Sequence, residues 1–398
     1  MDFSITEEQC ELLARLDEFC ERNLLEHEIQ RWLAEGGVPD SFMLKYYQND
    51  FGTVGLPARM GGTPAPIITR VLMLERLGLH AGATLPIQAL MFNTQIIADL
   101  ADDQQADLMR DMLERTGRPG FSFAVTEPQS GSDSFNVHTI AVEDEQGFVI
   151  NGAKSFVSWG QYAPYIVLIA HDVTLDGVGE NDRKPLTFFL LPRDSEGVDV
   201  IPISKMGQHL VPTAEILLDN VRIGKDAVMG ERGAGAKELP HIFELGRTYL
   251  CATTVGMAQA AFRQAVSFAL NRTSFGASIM TFQQVQEMIV DMQVKIDAMR
   301  GMLYRVACSF DERSENTRLD TAVLKRFVPE TAMEVADSAM QIMGSMGYLS
   351  STRVARVWGE CRGNRMAEGT DQMMTVVAAR RIAKRFVAEQ QDPPVWRF

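Results

Sequence analysis

Two short polar segments carry the residues best suited to binding chemistry. In the first, Phe123-Ala-Val125-Thr126-Glu127-Pro128-Gln-Ser-Gly131-Ser132-Asp133, a short strand runs into a polar turn that contains glycine. Hydroxyls and free backbone N–H groups at a strand end can hydrogen-bond a planar heterocycle or an anionic group. By itself such a segment is more often a plain turn.

The second segment is Lys154-Ser-Phe156-Val157-Ser158-Trp159-Gly160. Alternate residues of a strand point to the same face, so Phe156 and Ser158 place an aromatic ring and a hydroxyl side by side. An ordinary half-buried strand has the same pattern, and neither segment alone identifies a ligand.

The motifs of the commonest enzyme classes are missing from the chain. It contains no G-x-x-x-x-G-K-[ST], no G-x-S-x-G, no H-E-x-x-H and no G-x-G-x-x-G after a strand. Its six histidines are dispersed without ligand spacing, so no metal site is predicted. The five cysteines are scattered without C-x-x-C spacing, which favours buried thiols in a reducing cytoplasm.

Composition excludes several other classes. The chain has 398 residues, of which 46% are hydrophobic, so it is long enough for two or three packed domains rather than a disordered chain. A formal charge of −14 argues against a general nucleic-acid binder. The longest apolar runs are of strand length, too short to span a bilayer. The start, Met1-Asp2-Phe3-Ser4, lacks the basic and apolar regions of a secretory signal. These features predict a cytoplasmic protein.

Hydrophobic periodicity divides the chain into three stretches. Residues 1–119 have helical spacing: Thr6 and Gln9 form a capping box, Ser41 is placed to cap a second helix, and Pro66 to Leu79 forms another. Residues 229–398 are helical again, with a second capping box predicted at Thr281 and Gln284. The apolar stripe that follows has helix-bundle spacing, and Gly344 sits at a C-cap position.

Residues 120–228 have the texture of β structure. Asn151-Gly152 between apolar runs predicts a tight hairpin turn. Further strands are predicted at 165–171, 186–191, 198–203 and 216–223. Their spacing favours a small sandwich or barrel and implies no parallel sheet.

Taken together, five segments in order resemble the acyl-CoA dehydrogenase family, flavoenzymes that form the α,β double bond of acyl-CoA thioesters. They match the family's T-E-P-x-x-G-S-D, N-G-x-K-x-W/F-I/V-T/S, R-x-x-F-G, Q-x-x-G-G/S-x-G-Y/F and E-G-T motifs at 126–133, 151–158, 272–276, 341–348 and 368–372. The resemblance covers essentially the whole chain. It implies an N-terminal helical domain (1–119), a middle β-barrel or sandwich domain (120–228) and a C-terminal four-helix bundle (229–398).

The resemblance also implies FAD as the cofactor. Val125, Thr126, Phe156 and Ser158 are expected to line the flavin, and Thr370 to contact FAD. A further set is similar to residues that bind the FAD of a neighbouring subunit, which implies a homotetramer built as a dimer of dimers: Arg272, Phe275, Gln283, Gln341 and Gly344.

Glu368 occupies the family's catalytic-base position. Some members place the base directly before the arginine of the segment Phe243-Glu-Leu-Gly246-Arg247, where this chain has Gly246, so no carboxylate competes. Glu244 and Arg247 resemble the family's pair near the CoA moiety. Ser132 is expected to meet CoA, and Gly369 is assigned to the substrate.

Several departures point to a branch close to bacterial crotonobetainyl-CoA reductase-like proteins, including Phe156 for the commoner Trp and Ala367 for a frequent Tyr. The predicted activity is α,β-dehydrogenation of an acyl-CoA, with electrons passed to electron-transfer flavoprotein. An enoyl-CoA reductase using the reverse reaction, an acyl-CoA oxidase or flavin monooxygenase, and an idle FAD- or acyl-CoA-binding scaffold are the alternatives.

Overall fold

The computed structural model describes residues 5–177 and 184–391. The helices of this part of the chain are α1 (Glu7–Asn23), α2 (Glu26–Glu35), α3 (Asp40–Gln48), α4 (Ile67–Ala81), α5 (Pro86–Leu100), α6 (Asp103–Thr116), α7 (Gly235–Asn271), α8 (Gln283–Asp311), α9 (Thr317–Met343), α10 (Arg353–Asn364) and α11 (Asp371–Gln391). The strands are β1 (Phe121–Ala124), β2 (Ile140–Glu143), β3 (Phe148–Ser158), β4 (Tyr165–Asp172), β5 (Leu186–Pro192), β6 (Val198–Ile203), β7 (Thr213–Ile223), β8 (Val228–Met229), β9 (Thr273–Ser274) and β10 (Ala277–Ser278).

Packing groups these elements into two units. One is assembled from three separate stretches: the chain up to Arg22, Pro66–Ala83, and the chain from Glu244 onward. The other consists of Asn23–Ala65 and Thr84–Phe243 and holds the large sheet. The predicted boundaries at 119/120 and 228/229 follow the order of secondary structure along the chain, and as domain boundaries they stay a prediction.

The first unit is a set of packed helices whose apolar faces carry the predicted stripe. On α8, Met292, Ile296, Met299 and Leu303 are all buried, at intervals of three or four residues. Close approach of α4 and α7 depends on glycine. A Cβ on Gly256 would lie 2.0 Å from the carbonyl oxygen of Glu75, well inside the contact distance of real side chains.

In the second unit, eight strands form one sheet in the order β6-β7-β3-β2-β4-β5-β8, with β1 also paired to β4. Most neighbours are antiparallel, which suits short connections. The sheet's core is apolar and includes Phe148, Ile166, Phe189 and Ile216. The result is the helix, β, helix order predicted for residues 1–119, 120–228 and 229–398.

Several local predictions are confirmed. Thr6 and Gln9 form the reciprocal capping box, since Gln9 N donates to Thr6 Oγ1 at 3.2 Å and Thr6 N donates to Gln9 Oε1 at 3.0 Å. The four strands predicted after residue 160 are all present. Gly344 is the C-cap of α9 and has a φ of 57°.

The predicted hairpin at Asn151-Gly152 is wrong. Both residues lie inside β3, and the neighbouring strands are joined by the turn at residues 144–147 instead. Gly152 serves another purpose: a Cβ there would lie 2.7 Å from the Thr139 Cα. The glycine therefore permits a close backbone approach beside a bulge in the pairing of β3 with β7.

Three further predictions are corrected. Ser41 lies inside α3, whose N-cap is Pro39. Thr281 lies in a 3₁₀ turn and donates its hydroxyl proton to the Ser278 carbonyl, so Phe282 rather than Thr281 caps α8. The sheet also contains parallel pairs, since β4 runs parallel to both β1 and β2.

Within residues 5–177 and 184–391, no helix is long and apolar enough to cross a membrane. Met1 to Ser4, on which the prediction of no secretory signal rests, lies outside the described residues.

Candidate active site

Glu368 lies in the connection between α10 and α11, in an unusual backbone conformation. Its φ is 55° and that of the following Gly369 is 102°. A left-handed conformation is uncommon for a residue with a side chain and persists only where the surroundings enforce it.

Two buried cations hold this connection by its carbonyl oxygens. Arg247 Nε of α7 donates to the Glu368 carbonyl at 3.0 Å, and Lys325 Nζ of α9 donates to the Gly369 carbonyl at 3.1 Å. Arg247 is 8% exposed and Lys325 is fully buried. The peptide planes on both sides of Gly369 are therefore fixed from two helices.

The N–H groups of the same connection are left available. Among the described residues, no acceptor is hydrogen-bonded to the backbone N–H of Glu368, Gly369 or Thr370. Because a trans peptide points its C=O and N–H in opposite directions, holding the two carbonyls also orients the N–H groups of Gly369 and Thr370. Such fixed donors suit a ligand oxygen that carries negative charge.

The carboxyl of Glu368 is tuned by opposing effects. Burial raises the pKa of Glu368, while the positive charges of Arg247 and Lys325 act to lower it, and the net shift is upward. A carboxylate with a raised pKa is a better proton acceptor than an exposed one.

Glu244 and Arg247 share one stretch of α7 and are both buried. Burial lowers the pKa of Arg247, against the opposing charges of Glu368 and Glu244. Glu244 Oε1 also lies 3.7 Å from Arg318 Nε, near the start of α9. Arg247 thus lies within electrostatic range of both Glu244 and Glu368, while the substrate-binding and catalytic roles predicted for these three residues stay a prediction.

A second cluster lies in the other unit, where β3 meets the segment after β1. Ser155 N donates to the Thr126 carbonyl at 2.8 Å, and Lys154 Nζ donates to the Val125 carbonyl at 3.3 Å. Lys154 is also paired with Glu127 at 2.8 Å, with both side chains almost completely buried. This ion pair fixes Val125 and Thr126 beside β3.

Burial and the neighbouring opposite charge both shift the pKa values of Lys154 and Glu127. Burial lowers the pKa of Lys154 to about 8 despite the neighbouring carboxylate. Burial acts to raise the pKa of Glu127, but Lys154 and the hydrogen bonds from Thr139 outweigh it and lower that pKa. The carboxylate also accepts from His138 N at 2.7 Å.

Phe156 and Ser158 lie on the exposed face of β3, with Val157 buried between them, as predicted. Phe156 is 64% exposed and has a φ of 55°. The hydroxyls of Thr126 and Ser158 form no hydrogen bond with the described residues. A large exposed ring beside free hydroxyls is the kind of surface that a planar polar ligand covers.

The remaining predicted residues lie in several places. Ser132 is exposed in the loop after β1. Arg272, Phe275 and Gln283 are exposed around the β9–β10 hairpin and the start of α8, whereas Gln341 and Gly344 are exposed at the end of α9. Thr370 caps α11, since its hydroxyl accepts from Met373 N at 3.3 Å.

Models of all three domains of one family match the chain. The acyl-CoA dehydrogenase N-terminal domain matches residues 6–116, the middle domain 122–221 and the C-terminal domain 233–383. The chain belongs to the acyl-CoA dehydrogenase family. Members of this family are flavin-dependent oxidoreductases with FAD as cofactor.

Individual acyl-CoA dehydrogenase relatives match over almost the whole chain. The probable acyl-CoA dehydrogenase YdiO of Escherichia coli K12 is 34% identical, over 97% of this chain and 99% of the relative. The crystal structure of an acyl-CoA dehydrogenase from Slackia heliotrinireducens is 32% identical, covers 98% of this chain and 99% of its own, and has a TM-score of 0.86. A chain in a structure described as the electron transferring flavoprotein of Acidaminococcus fermentans is 27% identical, with coverage of 96% and 99% and a TM-score of 0.86.

The residues present fit an FAD group of this acyl-CoA dehydrogenase. The exposed Phe156 ring offers a stacking face, and the free hydroxyls of Thr126 and Ser158 suit the polar edge of a flavin. The exposed Arg272 has no side-chain partner among the described residues, and a guanidinium pairs well with a pyrophosphate.

Sequence reasoning did not identify Lys325 or the ion pair of Lys154 with Glu127. Lys154 and Glu127 stand inside the quoted motifs, so their joint burial could have been suspected. Lys325 stands in an otherwise ordinary stretch, Thr321-Ala-Val-Leu-Lys325-Arg326. Its one signal is a cation on the apolar face of a helix.

Proposed function

We propose that this acyl-CoA dehydrogenase forms the α,β (trans-2) double bond of an acyl-CoA thioester, with Glu368 as the catalytic base. One observation carries the proposal: the Glu368 carboxyl has a raised pKa and stands on a connection that Arg247 and Lys325 hold in a left-handed conformation.

Glu368 takes the α-proton of the thioester. The carboxylate becomes a carboxylic acid, and the electron pair of the broken C–H bond moves into the new double bond as hydride leaves the β-carbon. When bound, FAD supplies the acceptor for that hydride at N5. The acid then returns its proton to solvent, which completes the balance.

The backbone of the same connection stabilises the charge that develops on the thioester oxygen. Its N–H groups at 368–370 have no acceptor within the described protein, and those of Gly369 and Thr370 are oriented by the two held carbonyls. A preorganised donor is worth about 3–4 kcal/mol of transition-state stabilisation in comparable sites. Gly369 adopts its positive φ without a side chain, and a Cβ there would lie 2.7 Å from Met374 Cε.

Val125, Thr126, Phe156, Ser158 and Thr370 hold the FAD of their own subunit in this proposal. The ion pair below Val125 and Thr126 supports the first two. A neighbouring subunit contributes the exposed set around the β9–β10 hairpin and the end of α9, which makes the enzyme a homotetramer: Arg272, Phe275, Gln283, Gln341 and Gly344.

Ser132, Glu244, Arg247 and Gly369 bind the acyl-CoA. Glu244 and Arg247 are both buried on α7, and Arg247 contacts the connection that carries the base, so together they offer a hydrogen-bond acceptor and a donor to the polar part of the thioester arm. Ser132 is exposed and free to meet CoA farther out.

Electron-transfer flavoprotein is the proposed electron acceptor. The similarity to a chain from the Acidaminococcus fermentans electron transferring flavoprotein structure supports this partner. A cytoplasmic location belongs to the same proposal, and the absence of a disulfide at all five cysteines supports it.

Anaerobic titration of the FAD-loaded protein with acyl-CoAs of graded chain length tests the activity. Bleaching of the flavin absorption band is the expected result. A flavin that stays oxidised with every saturated acyl-CoA, but is reoxidised by an enoyl-CoA after chemical reduction, would instead establish the reductase direction. Rapid reoxidation of the reduced protein by air would identify an oxidase or monooxygenase. Failure of the protein to take up FAD would identify a non-catalytic scaffold.

Glu368→Gln tests the base in the same titration. We expect the variant to retain FAD and to lose flavin reduction by a factor of about 10² to 10⁴, because the amide cannot accept the α-proton. Glu334→Gln, which removes a carboxylate paired with Lys295 on the surface of α9, is the matched control and keeps the parental rate. A Glu368→Gln variant as fast as the parent would disprove the assignment.

A further inference from the structure

Lys325 is a buried cation. The contacts around it do not offset the free energy that is lost when its ammonium group is removed from water. Its side chain is fully buried in the middle of α9, and it forms no ion pair within 4 Å among the described residues. The Gly369 carbonyl is its one hydrogen-bond acceptor there. An ammonium group buried with so few partners is expensive, and an apolar residue of similar volume commonly gives a more stable protein.

The charges around Lys325 show what this cation faces. Burial lowers the pKa of Lys325, and the nearby acidic groups act in the opposite direction. The titratable and charged groups that act on it come from three directions: Cys251 and Arg247 on α7, Asp371 at the start of α11, and Glu368 in the connection. Glu368 in turn is influenced by Arg247 and Lys325.

The polar atoms near Lys325 are incompletely satisfied. Two of the three ammonium protons have no acceptor among the described residues, and the buried Asp371 Oδ1 has no hydrogen-bond partner either. Pro329, four residues after Lys325, has no N–H to donate to the Lys325 carbonyl. Each of these unsatisfied polar groups lowers the stability of the folded protein, and the chain nevertheless has an amine at this position.

The two cations that hold the connection differ in whether they can also contact a substrate. Arg247 holds the Glu368 carbonyl but also belongs to the proposed CoA-binding pair. Lys325 lies beneath the next peptide and is fully buried, so it has no surface to offer a substrate. Its effect on the reaction therefore passes through the connection itself.

We propose that Lys325 is a positioning residue for the reaction: by holding the Gly369 carbonyl with a buried positive charge, it keeps the Glu368–Gly369 connection, and with it the carboxyl of the base, in place. This inference rests on the proposed role of Glu368. It adds a residue that touches neither the substrate nor FAD.

Lys325→Met removes the charge and the hydrogen bond while keeping an unbranched side chain. The matched control is Arg356→Met, which also removes a buried cation from backbone carbonyls, among them those of Ala81 and Gly82. Lys325→Gln is a second variant that is neutral yet polar, and it guards against failure of the methionine variant to fold. Thermal unfolding of each FAD-loaded variant establishes that it is folded.

The first measurement is an infrared titration of the protonated-carboxyl band that disappears in Glu368→Gln. Loss of the lysine charge removes an influence that lowers the Glu368 pKa, so the midpoint moves upward by about one pH unit in both Lys325 variants. The midpoint in Arg356→Met matches the parent. An unchanged midpoint in both Lys325 variants, or an equal shift in Arg356→Met, would overturn the proposal.

The second measurement is the rate of anaerobic flavin reduction by the best acyl-CoA as a function of pH. In Lys325→Met we expect the limiting rate at high pH to fall about 10- to 100-fold and the pH profile to move upward. Arg356→Met keeps the parental profile. If no acyl-CoA reduces the parent's flavin, the proposed function fails, whereas the infrared midpoints still decide the role of Lys325.

Discussion

At the scale of single residues, Glu368 combines a reactive carboxyl with an unfavourable backbone. A side chain at a φ of 55° costs of order 1–3 kcal/mol, and the hydrogen bonds from Arg247 and Lys325 maintain it. The location of this strain at the proposed base indicates that geometry here is maintained at the expense of stability.

The free energy cost of the positive φ at residue 368 can be measured by removing the Glu368 side chain. We expect Glu368→Gly to be more stable than Glu368→Ala by about 1 kcal/mol, because glycine adopts positive φ without a steric penalty and alanine does not. Urea unfolding of the two FAD-loaded variants measures the difference, and both lack the carboxylate, so charge is matched. An alanine variant of equal or greater stability would show that the connection is unstrained.

At the scale of elements, the crossing of α4 and α7 depends on two glycines that face the other helix. A Cβ on Gly78 would lie 2.4 Å from the Thr253 carbonyl oxygen, just as one on Gly256 would clash with Glu75. Both obstacles are backbone atoms, which cannot move aside as a flexible side chain can. The helices are therefore closer than any other residue would allow.

Gly256→Ala is expected to reduce the free energy of unfolding by about 2–3 kcal/mol, because the added methyl group forces the two helices apart. Gly301→Ala on α8 is the matched control. A Cβ there meets nothing within 4 Å, so the substitution should stabilise the protein by about 0.5–1 kcal/mol through helix propensity. Denaturant unfolding of both variants measures these changes in the free energy of unfolding. A Gly256→Ala variant as stable as the parent would contradict the close crossing of α4 and α7.

Elements with strong local signals could be predicted from the sequence, and those set by tertiary contacts could not. Thr6 and Gln9 cap a helix through their own hydrogen bonds, so spacing was sufficient. Asn151-Gly152 has the composition of a turn, yet Thr139, just before β2, packs so closely against Gly152 that the glycine is needed within a strand. Lys325 was missed because its acceptor, the Gly369 carbonyl, is a distant backbone atom that leaves no trace in composition.

At the scale of the whole molecule, the unit that contains α8 and α9 exposes large apolar side chains. The described residues of this unit with the greatest such exposure include Phe275 at 96%, Tyr348 at 83% and Val290 and Val294 at 61% each. An exposed apolar patch is a frequent site of contact with a protein partner. It supports the proposal that subunits meet around the β9–β10 hairpin.

Phe275→Ser tests this surface. We expect the variant to shift toward smaller assemblies and to release FAD more readily on dilution, because the proposed neighbour contributes this ring to the cofactor site. Sedimentation analysis with simultaneous flavin absorbance reports both effects. Met206→Ser, which alters a 65% exposed side chain of the other unit, provides the control. A tetramer unchanged by Phe275→Ser, or a monomeric parent, would refute the arrangement.

The discontinuous unit also has a consequence for synthesis on the ribosome. Helices α1 and α4 are made early, but the stretch that completes their unit begins only at Glu244. Residues 84–243, about 160 of them, are translated in between, which takes roughly 10–30 s at about 5–20 residues per second. During this interval the apolar face of α4, including Val71, Met73 and Leu74, lacks its final partners. The nascent chain therefore exposes an apolar helix that chaperones can bind. A premature stop far downstream would leave this helix, near the amino terminus, without its packing partners.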